Sequence, residues 1–194
     1  VTTVLRQPSE LALRARPLSI EVRVTKTEQG LTNLLTWMGD HNRRLLLERP
    51  DLPLLYESGV FYQREPREVW CDFLAMLEQG HEDCDGLAPA RAGELMARGW
   101  QAMSPEDGGW EHAQILRPRS IPASVILKTR GTRGRPNLYH CLVLYEVGGI
   151  LWLDDPSARL GMFGERRYHP YNSRPADHYF RRGRGGSPSA RRAA

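Results

Sequence analysis

The sequence predicts an α+β fold with helices in its first half and an antiparallel β-meander in its second. Leu31, Leu34, Leu35, Met38, Leu45 and Leu46 recur mostly at three- and four-residue steps, which is the period of an amphipathic helix. Farther on, residues 124–129, 139–145 and 150–154 are short apolar runs separated by Gly-containing turns, the pattern of strands joined by hairpins. Helices and strands segregated along the chain in this way define the α+β class.

In chain order, residues 1–18 carry Pro8 and Pro17 and read as an arm, and residues 19–162 read as a single domain. Ser19 to Thr25 alternates polar and apolar residues at period two, as a half-buried strand does. The helix from Glu28 to Arg49 has basic residues in its last turns and ends at Pro50, with a bend expected near Gly39. Phe61 to Pro66 is extended, and Glu68 to Leu77 is a short helix with Trp70, Phe73, Leu74 and Leu77 on one face. Gly80 then turns the chain into Asp83-Cys84-Asp85, and the Ala/Leu-rich run to Gly99 reads as a buried helix. Gly99 to Ile121, rich in Gly, Pro and acids, is a long loop. Residues 163–194 form a C-terminal arm whose Arg/Gly/Ser/Pro-rich end has no apolar period and is expected to be disordered.

Composition limits the function. The chain has 194 residues, 26% of them charged, and no apolar run approaching the roughly 18 residues of a membrane span. Its opening residues lack the apolar core of a secretory signal, so synthesis in the cytoplasm is expected. The three cysteines, Cys71, Cys84 and Cys141, have no regular spacing, which argues against a disulfide framework or a paired-cysteine metal site; neither a metal nor a cofactor is expected. Much of the net charge of +4 sits in Arg181, Arg182, Arg184, Arg191 and Arg192, so nucleic acid is not a favoured partner of the folded body.

The chemistry centres on Cys84. A thiol at a helix N-terminus meets unpaired N–H groups and partial positive charge, which favour the thiolate. The carboxylates beside it oppose that effect. A nucleophilic cysteine needs a base, and the base needs a group that fixes its tautomer. His140 lies at the start of one strand and Asp155 at the end of the next, so a hairpin brings both to one sheet edge. Asp154 is the alternative acid and His81 the alternative base, while a buried structural thiol is the plain reading of Cys84. Cys141, next to His140 on the strand, is expected to face the other side of the sheet as a small hydrophobe. Gln79 is an oxyanion donor by analogy only and is not the favoured reading; Trp100, Trp110 and Trp152 could line a substrate groove, but large aromatics more often pack as core, which is the preferred reading.

Gly80, Asp83-Cys84-Asp85 with Leu87, His140 on a strand and Trp152 to Ser157 resemble the cysteine, histidine and aspartate motifs of the transglutaminase-like superfamily. The resemblance runs from about Tyr56 to Met162. More narrowly, Leu55 to Val60, Arg64-Glu65-Pro66, Trp70, the cysteine motif and Asp155-Pro156-Ser157 with Leu160-Gly161-Met162 look like transglutaminase-like proteins of tailed phages and prophages. Two positions depart from the pattern. Glu82 stands where a glycine usually precedes Asp-Cys, and Gly86 stands where a second acid is common.

The resemblance implies a papain-like core in which Cys84 forms a thioester, His140 is the base and Asp155 orients it. The implied activity is acyl transfer or peptide hydrolysis on a protein or peptide substrate, in a phage-encoded protein made in a bacterial host. A second reading keeps the fold as a structural or assembly module of a virion, whose arms dock on neighbouring subunits.

Overall fold

A computed structural model of the protein describes residues 27–64, 69–102, 120–132, 135–162 and 174–175. The expected strand at 19–25, the arm at 1–18, most of the loop after Gly99 and most of the C-terminal arm lie outside the described residues.

Helix α1 spans Glu28–Glu48, with the Thr27 side chain accepting from Gly30 N at its start. Its buried positions, Leu35, Met38, Gly39, Asn42 and Leu46, repeat at helical spacing on one face. Helix α2, Phe73–Gln79, is shorter than the sequence suggests, because the Asp72 carboxylate caps Ala75 N and starts the helix there. Trp70 therefore lies ahead of the helix rather than on its apolar face. Gly80 closes α2 at φ 75°, a left-handed conformation that suits glycine.

The central element is α3, Cys84–Arg98, in which every residue from Gly86 to Leu95 is buried. Burial on all sides explains a helix that a one-faced apolar pattern would not describe. Pro89 is inside it, so the Asp85 carbonyl has no intrahelical N–H partner, a defect worth about 3 kcal/mol in an isolated helix. The Asp83 cap nevertheless starts the helix at Cys84, with the Asp83 side chain accepting from Asp85 N. Gly93 lets α1 approach α3 closely: a Cβ there would lie 2.8 Å from Arg43 N, Asn42 Cβ and Gly39 O.

Strands β3 (Ala123–Thr132), β4 (Arg135–Val147), β5 (Ile150–Asp154) and β6 (Arg174–Pro175) form one antiparallel sheet in chain order. The meander expected from the sequence is present, and β6 adds to it a pair of residues from the segment read as an arm. Gly148 and Gly149, both at positive φ, make the tight turn between β4 and β5. A second pair of strands, β1 (Phe61–Tyr62) and β2 (His81–Glu82), runs parallel. Helix α4, Pro156–Arg159, follows β5 directly.

One apolar cluster joins Leu35 and Met38 of α1 and Ala88, Ala92 and Leu95 of α3 to Val125, Val143, Tyr145 and Trp152 of the sheet. Another joins Leu46, Leu55, Phe73, Met76, Leu87 and Ala90. Helix α3 is common to both, so its first turn is fixed from two sides.

Candidate active site

Cys84 is the first residue of α3, and β1 and β2 set its approach. Phe61 N donates to Gly80 O at 3.2 Å and Gln63 N to Glu82 O at 3.0 Å. Tyr62 N donates to Leu160 O at 2.8 Å, which ties the same strand to the end of α4.

Glu82, fully buried, holds the peptide before Asp83 in place. Its Oε1 accepts from Asp83 N at 3.0 Å, and its Oε2 accepts from Cys71 Sγ at 2.6 Å and from Gln79 Nε2 at 3.1 Å. Gly86 makes room for it, since a Cβ at that position would lie 2.5 Å from Glu82 Cδ. The two departures from the family pattern are thus one packing arrangement. Gln79 is engaged with Glu82, Cys71 and His81 O. Its amide is not turned toward an oxyanion.

The structure brings His140 and Asp155 together as the hairpin predicts, although His140 lies inside β4, which begins at Arg135, rather than at its start. His140 Nε2 lies 2.8 Å from Asp155 Oδ2, and both side chains are about nine-tenths buried, at 11% exposure each. Asp155 Oδ1 accepts from Ala158 N at 3.0 Å and caps α4, so both carboxylate oxygens are committed. With Nε2–H donated to a carboxylate, the nitrogen left to exchange a proton is Nδ1, which is buried and has no hydrogen-bond partner among the described residues.

Asp154 faces the other way. Its Oδ2 accepts from Arg91 Nε at 2.9 Å and from the Tyr56 hydroxyl at 2.6 Å, inside the core. Arg91, fully buried, also donates to Glu94 Oε2 and to Ala102 O, both at 2.7 Å. Glu94 Oε1 in turn accepts from Leu55 N at 2.6 Å. Alternation along β5 and after it therefore sends one aspartate to the histidine and its neighbour to a structural arginine.

Charge follows this geometry. The Cys84 thiol is pulled down to about 5, chiefly by a hydrogen bond from the Cys141 thiol; burial opposes this, and His140 adds to it. Burial alone would lower His140, but the Asp155 carboxylate bonded to its Nε2 and the negative charge of the neighbouring Cys84 raise it to about 9. Cys84 and His140 therefore favour a thiolate–imidazolium pair between those limits.

Cys141 is buried in the core beside α3, as the small hydrophobe expected, and Cys84 packs against the same apolar cluster. The Cys141 thiol also helps to lower Cys84, so His140 and Cys141, consecutive on β4, both act on one sulfur.

Three further residues shape the surroundings of Cys84. Trp70 Nε1 donates to Asp85 Oδ2 at 2.6 Å. Tyr62 is pushed up first by burial and then by the charges of Cys84 and Asp83, which places its hydroxyl within their field. His81, the alternative base, lies on β2 with its ring against Phe61, centroids 5.9 Å apart. Trp152 is core rather than groove, while the Trp100 side chain and Trp110 lie outside the described residues. Glu82, Asp83 and Asp85 gather their oxygens within 4.8 Å, and each already accepts from a protein donor.

Comparison with protein families, characterised proteins and solved structures finds no match for this chain. Fold and site define an α+β protein with a half-buried helix-terminal thiol near an imidazole–carboxylate pair. Any assignment beyond that class rests on the chemistry of these residues.

Proposed function

We propose that this protein is a transglutaminase-like cysteine acyl transferase or peptidase with a papain-type core. The observation that carries the reading is Cys84 at the start of α3 acting on His140, whose Nε2 is held by Asp155 at 2.8 Å. In this mechanism the Cys84 thiolate attacks the carbonyl carbon of a glutamine or peptide amide. The oxyanion that develops faces the first turn of α3, where backbone N–H groups lack intrahelical acceptors. Asp83 N and Asp85 N are already taken by side chains, which leaves the Cys84 and Gly86 N–H groups of that turn as the donors for it. His140 passes its Nδ1 proton to the departing amine, and a thioester remains. Water or a second amine, deprotonated by the now neutral His140, then attacks the thioester and releases Cys84.

The substrate in this reading is a protein or peptide. The resemblance further suggests a phage-encoded protein that acts in a bacterial host or is carried in a virion. A non-catalytic assembly role is the second reading, favoured by the Arg/Gly-rich sequence at 181–194, which suits docking on an acidic partner.

Alkylation of Cys84 by iodoacetamide across pH separates the two. The enzyme reading expects the rate to rise through pH about 5 and His140→Ala to move that rise to higher pH. Ordinary slow alkylation of the unmodified protein, rising only near pH 9, the usual thiol value, would favour the assembly reading.

A further inference from the structure

We propose that Trp70 is a positioning residue for Cys84: its indole N–H holds the carboxylate of Asp85, the residue after the thiol, and so restrains the negative charge nearest the nucleophile. The inference deepens the reading of Cys84 as a nucleophile and rests on it. Its own basis is a hydrogen bond, Trp70 Nε1 to Asp85 Oδ2 at 2.6 Å. An indole N–H can only donate and a carboxylate can only accept, and an ionised acceptor makes such a bond short and strong.

The indole works from a fixed origin. Each of the three residues after Trp70 is tied to another segment or to a helix start: Cys71 Sγ donates to Glu82 Oε2 at 2.6 Å, Asp72 Oδ1 accepts from Ala75 N at 3.0 Å, and Phe73 N donates to Asn42 Oδ1 at 2.9 Å. Trp70 also packs against the apolar cluster of Leu35, Met38 and Ala88, against which Cys84 packs as well. Indole and thiol therefore rest on one body of the protein.

Asp85 is the residue of the first turn that most needs holding. It is the second residue of α3, where a carboxylate is drawn to unpaired N–H groups. Its own N–H is taken by Asp83 Oδ1, so the groups within its reach are the Cys84 and Gly86 N–H, the donors of the proposed oxyanion site. A loose Asp85 would compete for them and set a full charge beside the thiolate, which raises a thiol's pKa. Held by Trp70, the carboxylate keeps one place and faces the positive end of the indole N–H dipole. The titratable groups around Cys84 are Asp83 and Asp85 on α3, Tyr62 on β1, and His140, backed by Asp155, and Cys141 on β4. Of these, Asp85 is the one bonded to Trp70.

The test is a cycle of the full chain, Trp70→Phe, Asp85→Asn and the double variant. Trp70→Phe keeps an apolar ring and removes only the N–H donor. Iodoacetamide alkylation of Cys84 is followed across pH by mass spectrometry, so that Cys71 and Cys141 do not enter. Trp70→Phe should move the rise in rate to higher pH by about 0.5–1 unit. Asp85→Asn in that background should cancel the displacement, because a neutral side chain carries no charge whether loose or held. An unmoved profile in Trp70→Phe, or a displacement that Asp85→Asn does not cancel, overturns the proposal and leaves Trp70 a packing residue. The midpoint of the unmodified protein tests the nucleophile, while the displacement and its cancellation test Trp70, so the two readings fail separately. If Trp70→Phe does not fold, the indole N–H signal of Trp70 in the nitrogen-15 spectrum replaces it, identified by its displacement in Asp85→Asn. That signal should titrate with the Cys84 midpoint, and a signal flat across that range overturns the proposal.

Discussion

At the scale of the residue, Asp155 carries most of the information because both of its oxygens have work. Replacing it with Asn leaves an oxygen able to accept from Ala158 N, so the α4 cap survives, but it presents an amide N–H to His140 Nε2. That nitrogen must then be the acceptor, the ring proton moves to Nδ1, and the imidazole no longer receives a proton from Cys84. Asp155→Asn should keep the melting temperature within a few degrees while lowering turnover by about two orders of magnitude or more and raising the pH at which Cys84 alkylates. Asp154→Asn should show the opposite pattern, with stability lost and the alkylation profile unmoved. The two variants, compared by thermal melting and by iodoacetamide kinetics, decide which aspartate serves the histidine.

At the scale of the element, α3 depends on a close fit at its first turn. Gly86→Ala places a methyl against the Glu82 side chain, which is fully buried and holds the peptide before Asp83, so it should destabilise by about 1–3 kcal/mol despite alanine's better helix propensity. Combining it with Glu82→Ala should restore room, and a double-mutant cycle by urea unfolding should show coupling; simple additivity would mean the contact is slack. The strands were legible in the sequence because each apolar run is short and closed by glycine, and α1 because its leucines keep helical spacing. The start of α2 was misplaced, since the apolar period continues back to Trp70 and only the Asp72 cap stops it. Pro89 on its own would suggest a later beginning for α3 than the Asp83 cap imposes. The Cys84, His140 and Asp155 candidates could be named because hairpin geometry links two of them. The effect of Cys141 on Cys84, the Glu82–Gly86 fit and the placing of Trp70 and Tyr62 could not, because each depends on how α3 docks against other elements.

At the scale of the whole molecule, a buried ionic network joins segments far apart in sequence. Arg91 on α3 reaches Asp154 at the end of β5 and Glu94 one turn on, and Glu94 holds Leu55 N. Arg159 adds a guanidinium over the Tyr56 ring, 3.9 Å from its centroid. Arg91→Met would take the nearest cation from two buried carboxylates, leaving Asp154 only the more distant Arg159 at 3.9 Å, at a cost of about 3–5 kcal/mol. Burial already raises the proton affinity of Glu94, and Arg91 opposes that rise, so removing Arg91 raises it further. A group that binds its proton more tightly when folded loses stability as pH rises. The deficit should therefore be smaller at mildly acidic than at neutral pH; an equal deficit at both, measured by urea unfolding, would show that Glu94 is not the ionising group. Nothing in the sequence marks Arg91 as buried, because its partners lie on other segments.

The contacts that lower the Cys84 thiol come from His140 and Cys141, more than fifty residues farther along the chain. A ribosome therefore delivers the sulfur well before the groups that activate it. Until β4 docks against α3, Cys84 has the low nucleophilicity of any exposed cysteine at neutral pH. On the proposed acyl-transfer reading, the growing polypeptide, itself rich in carbonyls, is thus spared by the order of its own synthesis.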